Sequence, residues 1–266
     1  MPTTYTHFAY GRDVFDLLPG PVQEDLRPYI HFYDIGVHGP DILFYYRSFR
    51  RNSVNQYGVK VHHEPAAVFF RHAMKEYLIQ GCRPEAKAYL AGFMTHFILD
   101  STCHPYIRRQ IRRTGISHTE IETDFDAVLM EEDGKNARKY HTARHLRTSG
   151  EYTRIIAPYF LRTPGQIREG LIEMKFVLNR VFHTRFGARR FIASMISRWF
   201  IPGLKLPAYY VKKKVNPGNK ETLEHLNGLY HSSQQECAHM ICLLLKALDA
   251  QDETFLDNDR LKRTFS

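Results

Sequence analysis

Five candidate metal ligands, His96, Asp100, His104, His118 and Glu122, fall within 27 residues, and their spacing is helical. His96, Asp100 and His104 sit at i, i+4 and i+8. Each step of four residues turns an α-helix by about 40°, so the three share one face provided the helix runs that far. Fourteen residues after His104 comes His118, and four further on Glu122, a second i, i+4 pair. Ser117 precedes this pair as an N-cap, and Glu120, three residues later, completes a capping-box pattern. One His-x-x-x-Asp alone is usually chance or a surface pair. Five donors together exceed what one zinc ion needs, and two metals bridged or flanked by Asp100 explain the count better.

The rest of the chain also reads as helix. Tyr5 to Leu18 has apolar residues at helical spacing and stops at Pro19-Gly20-Pro21. Tyr29 to Asn55, punctuated by Gly36, Gly39 and Pro40, reads as loop-rich. Pro65 opens a helix to Gly81, and Pro84 opens another to about Thr102, which Pro105 limits or kinks. Further helices are expected near 138–147, 150–162, 164–182 and 186–199, and a last long one from about Glu221 to Leu248. No alternating β-branched run and no repeat occurs. The expectation is an all-α fold: a single domain over 1–266, with a metal-site half to about 132, a helical remainder, and a loop-rich insertion near 200–218.

Composition adds two points. Eleven of the 15 His lie in the first 145 residues, which agrees with a metal site in that half. The net charge of +9 is concentrated: Met174 to Lys220 has no Asp or Glu and 11 Lys or Arg. Basic segments commonly meet phosphate, in nucleic acid, lipid head groups or a substrate. The four Cys form no Cys-x-x-Cys and no disulfide framework is expected. The N-terminal residues lack the apolar core of a signal peptide, and no run is long enough to span a bilayer, so a cytoplasmic location is expected.

The order His96-x3-Asp100, His104, His118-x3-Glu122 resembles the zinc-dependent phospholipase C family. THFAYGRDVFDLLP resembles its N-terminal helix with a His, here His7. DIGVHGPDILFYY resembles its Gly-x-x-x-Pro-Asp segment, here with Asp41, and VKVHHEPAAVFF the His-bearing start of the next helix. The resemblance runs over residues 4–130. It implies an all-α fold holding two or three zinc ions. One would take Asp41, His62, His96 and Asp100; a second His104, His118 and Glu122. A third would take His7, Asp100 and the free amine of Pro2 after loss of Met1. His62 and His63 compete for one role, and His62, three before Pro65, fits the family's His-x-x-Pro better.

The activity so implied is hydrolysis of a phospholipid to diacylglycerol and a phosphorylated head group. Clustered zinc would stabilise the phosphoryl charge and acidify a water. Asp41 is the candidate catalytic carboxylate; a role as ligand or helix cap stands beside that reading. Ile42 follows Asp41 where choline-selective relatives carry an aromatic residue. His38, three before Asp41, reads as a structural or surface residue, with a place at the pocket rim as the other reading, and His31, His72, His141, His145, His183, His225, His231 and His239 show no partner pattern. Within the basic segment, Arg189, Arg190, Trp199, Lys212 and Lys213 mark either a peripheral contact with anionic membrane or a helix with aromatic core face and solvated basic face. Two alternatives remain: a zinc nuclease of similar fold, less favoured because the Asp41 loop looks more like the phospholipase side, and a metal- and membrane-binding protein without activity. An HD-type phosphohydrolase is disfavoured because no His-Asp dipeptide occurs.

Overall fold

A 31-residue helix, Pro84–Thr114, carries His96, Asp100 and His104 and does not stop at Pro105. This corrects the expected end near Thr102. Proline removes one backbone donor, at a cost of about 3 kcal/mol. Tyr106, Ile107 and Gln110, in the turn beyond it, are all buried, and their burial offsets that loss. The computed structural model describes residues 4–48, 50–137, 139–181 and 215–266. Arg189, Arg190, Trp199, Lys212, Lys213, Pro2, the helix expected at 186–199 and most of the insertion expected at 200–218 lie outside the described residues.

Among the described residues the fold is all-α, with no strand and a single isolated bridge between Pro65 and Thr264. The α-helices, in chain order, are α1 (Thr4–Asp16), α2 (Gly20–Leu26), α3 (Ile30–Gly36), α4 (Ser53–His63), α5 (Ala66–Ile79), α6 (Pro84–Thr114), α7 (His118–Glu132), α8 (Gly150–Ile156), α9 (Pro164–Phe176), α10 (Lys220–Ser232) and α11 (Gln234–Ala250). No helix among the described residues is long and apolar enough to cross a membrane.

Three expectations need correction. Tyr29–Asn55 is not mainly loop: it holds α3, a 3-10 turn over Gly39–Tyr45 and the start of α4. Asn52 caps α4, accepting from Val54 N and Asn55 N, while the Asn55 side chain accepts from Asn52 N. The segment near 138–147 forms turns rather than a helix where it is described, with only Ala143 and Leu146 buried fully enough to anchor it. The long helix expected at 221–248 is two helices, broken at Ser233. That serine is buried, and its hydroxyl shares a 2.9 Å hydrogen bond with Tyr10 Oη.

The described residues within Met1–Thr6, Tyr106–Arg144 and Lys175–Gly228 form one compact unit, and those within His7–Pro105, His145–Met174 and Leu229–Ser266 form another. The second unit has an aromatic core. Phe69 stacks on Phe93 at 3.8 Å between centroids, and Phe70, Phe97 and Phe265 close round the pair. Here α3 and α6 touch backbone to backbone: a Cβ on Gly36 would lie 2.3 Å from Tyr89 O, and one on Gly92 2.1 Å from Tyr33 O. Any side chain at either position would force the helices apart. In the first unit, Asp124 accepts from Asn216 N at 2.9 Å and Asn219 Nδ2 at 2.8 Å. Asp126 accepts from Thr6 N at 2.9 Å and Thr6 Oγ1 at 2.6 Å.

Asp34 supplies a pH test of the second unit. It is buried, and burial pushes its carboxyl up to about 6 although Arg12 Nη2, 2.6 Å away, pulls the other way. A carboxyl raised on folding stabilises the fold fully below its unfolded value of about 3.9, and that contribution is lost as pH rises through about 6. Asp34→Asn lacks this titration. Its stability relative to the parent is therefore expected to improve between pH 4.5 and 7.5, by about 2 kcal/mol. Urea unfolding of both proteins at the two pH values reads the difference; a pH-independent gap refutes it.

Candidate metal centre

Four imidazoles surround one carboxylate in the second unit. His7 Nε2 lies 3.3 Å from Asp100 Oδ1, and His104 Nε2 3.7 Å from the same oxygen. His96 Nε2 lies 3.2 Å and His62 Nε2 3.8 Å from Asp100 Oδ2. His62 Nε2 also meets Asp41 Oδ1 at 3.2 Å. His7 comes from α1, Asp41 from the 3-10 turn after α3, His62 from the end of α4, and His96, Asp100 and His104 from one face of α6. All but His104 are buried, His96 completely. His63 is exposed and bonds only to Val59 O among the described contacts, so His62 is the one that faces the carboxylates.

The local sequence explains how each side chain is aimed. Gly39 has φ +47°, a left-handed conformation that turns the chain sharply before Pro40 and Asp41. His96 stacks on His7 at 4.4 Å, and its ring packs directly against Gly39, where a Cβ would come within 2.4 Å of His96 Cδ2. His62 Nδ1 donates to Gly58 O at 2.7 Å, which leaves Nε2 to face Asp41.

Electrostatics favour ionised carboxylates. Burial alone raises Asp41, but the hydrogen bond from His62 and the neighbouring charges of His96 and His62 outweigh it and hold the carboxyl below its usual range. Burial likewise opposes ionisation of Asp100, yet His104, His96 and His7 together hold it well below the ordinary value. Burial pulls His96 down despite Asp100, which favours the neutral form whose lone pair a metal requires.

The donor set suits a divalent cation. His7 Nδ1 and His96 Nδ1 are buried without a hydrogen-bond partner among the described residues, and His96 Nε2 meets Asp100 at 3.2 Å. Such orphaned nitrogens beside two carboxylates are costly unless a cation engages part of the set. Imidazole nitrogen and carboxylate oxygen are the ligands that zinc accepts. His7, His96 and Asp100 form one group whose ligand atoms lie within 4.8 Å of one another, and Asp41, His62 and His96 form another.

In the first unit, His118 and Glu122 occupy the first two turns of α7. Ser117 caps the helix by accepting from Glu120 N at 3.3 Å. His118 Nε2 meets Glu122 Oε1 at 2.7 Å, and Glu122 is buried.

Sequence reading missed one pair. His38 is buried, the structural rather than the surface reading, and its Nε2 is 2.7 Å from Nε2 of His145. The two rings stack at 5.0 Å, and Phe8 stacks on His145 from another side at 4.0 Å. Burial pushes His38 well below the normal histidine range, with His145, His7 and His96 acting in the same direction. The partners are separated by 107 residues, so no local spacing could have linked them.

Comparison with known proteins gives a match to the family model for zinc dependent phospholipase C over residues 6–170, more than half of the chain. No curated protein and no solved structure matches the chain.

Proposed function

This chain belongs to the zinc-dependent phospholipase C family, and from that premise we propose that it hydrolyses the phosphodiester of a phospholipid to diacylglycerol and a phosphorylated head group. The observation that carries this reading is Asp100, a buried carboxylate with four imidazole nitrogens within 3.8 Å, next to the Asp41–His62 pair. We assign Asp41, His62, His96 and Asp100 to one zinc, and His7 with Asp100 to a further one; His104, His118 and Glu122 are the remaining donors of the pattern. The family match draws on residues of both compact units, which supports reading 1–266 as one catalytic domain.

Zinc, when bound, supplies Lewis-acid stabilisation of charge on phosphoryl oxygens and brings water acidity toward neutral pH. The chain's own residues do the rest. Asp41 Oδ1 is ionised and hydrogen-bonded to His62, so the carboxylate can accept a proton from an attacking water and hold that water in line. The buried rings of Phe93 and Phe265 beside His62 and His96 limit bulk water and strengthen each electrostatic contact. His62 and His96 are oriented by Gly58 O and the Gly39 turn, so the donor set needs little rearrangement.

The deciding experiment supplies zinc-loaded full chain with phospholipid vesicles, bis-p-nitrophenyl phosphate and single-stranded DNA. Diacylglycerol release from vesicles is the expected result. Asp41→Asn is expected to lose at least about a hundredfold in rate while staying folded, the range of a lost general base. Cleavage of DNA with lipid untouched transfers the reading to a nuclease. Full activity in Asp41→Asn removes Asp41 from the chemistry.

A further inference from the structure

Phe265 and Ser266, outside the family match, touch the metal centre at several points. His104 Nδ1 lies 2.9 Å from Phe265 O. A carbonyl only accepts, so Nδ1 is the donor and the lone pair of the neutral ring is on Nε2. Nε2 is the atom that faces Asp100. The Phe265 ring is fully buried, 5.7 Å from the ring of His62, 6.0 Å from His96 and 5.0 Å from Phe97. Ser266 Oγ donates to His62 O at 3.0 Å. The segment is itself held in place. Ala66 N donates to Arg263 O at 3.0 Å, Thr264 bridges to Pro65, and Arg260 Nη2 donates to Thr102 Oγ1 at 2.6 Å and Ile98 O at 3.2 Å on α6.

We propose that Phe265 is a positioning residue of the zinc centre: its main-chain carbonyl fixes His104 as an Nε2 donor, and its ring braces His62 and His96. The inference rests on the zinc-site reading above. It differs in kind from the Gly58 contact to His62, which lies within one helix. The His104 contact spans 161 residues and therefore makes ligand geometry depend on a segment remote in sequence. Hydrogen bonds of this type set the tautomer and basicity of a ligand imidazole.

The test measures zinc affinity of the full chain by competition with a chromophoric chelator. Three proteins are compared: the parent, Phe265→Leu, and a deletion of residues 265 and 266. The deletion removes the carbonyl and is expected to weaken the tightest affected zinc by about 10–100-fold. Phe265→Leu keeps the carbonyl but removes the ring, and is expected to weaken zinc binding by less than about tenfold, between the parent and the deletion. A folded deletion variant that binds zinc as tightly as the parent overturns the proposal. Should the deletion unfold the chain by circular dichroism, the nitrogen-15 spectrum of histidine in the intact zinc-loaded protein decides. A proton on Nδ1 of His104 and none on Nε2 supports the proposal; the reverse tautomer, or metal on Nδ1, overturns it. A parent chain that binds no zinc defeats the zinc-site reading instead, and the tautomer in that metal-free chain still reads the Phe265 contact.

Discussion

Asp100→Asn is expected to abolish zinc retention and to lower phosphodiester hydrolysis by roughly a thousandfold or more, the several kcal/mol that a Lewis-acidic metal supplies to a phosphoryl transition state. The reason is the position of this carboxylate. His7, His62, His96 and His104 all approach it within 3.8 Å, and it is buried with them. Asp41 and Asp100 together carry two negative charges, which one divalent ion balances. With Asn at 100 only one remains, and a neutral amide replaces the anionic oxygens that a divalent ion binds. A second buried aspartate in the same unit is the control. Asp34 pairs with Arg12, so Asp34→Asn removes a buried carboxylate without touching the cluster. Elemental analysis after dialysis is the measurement: Asp34→Asn is expected to retain its zinc and Asp100→Asn to lose it. Equal zinc content in the two variants would refute the assignment of Asp100.

How much of this was legible in the sequence depends on the range of each interaction. The α6 face was readable because His96, Asp100 and His104 are set four residues apart, and helical geometry does the rest. Ser117 as the α7 cap was readable for the same reason. The end of α6 was not, because the force that carries it past Pro105 is burial of Tyr106 and Ile107, a tertiary effect that outweighs local propensity. Gly36 illustrates a subtler failure. It reads as a breaker between Tyr29 and Asn55, but it ends a helix and serves contact with Tyr89 O and Phe93 N on α6. The same letter marks flexibility in one context and close backbone approach in another. The His38–His145 pair and the Phe265–His104 contact span 107 and 161 residues, which no spacing rule reaches.

Gly39 shows how strongly the centre depends on one residue without functional groups. Alanine there meets two separate penalties. The first is backbone strain at φ +47°, about 1–2 kcal/mol for a residue with a Cβ. The second is steric: the new methyl would lie 2.4 Å from Cδ2, 2.5 Å from Cγ and 3.0 Å from Nε2 of His96. That ring cannot step aside, because it has no exposed surface and is stacked on His7. Overpacking of this kind costs about 1–3 kcal/mol, so Gly39→Ala is expected to destabilise the protein by roughly 2–5 kcal/mol. It should also weaken zinc binding by displacing His96 Nε2. Gly81→Ala separates the two penalties, since Gly81 has φ +75° and a methyl added there would meet nothing within 4 Å. It is expected to show the strain alone and to bind zinc normally. Urea unfolding and zinc content of both variants test this, and a Gly39→Ala protein that matches Gly81→Ala in both would mean that His96 is not held in place by the Gly39 turn.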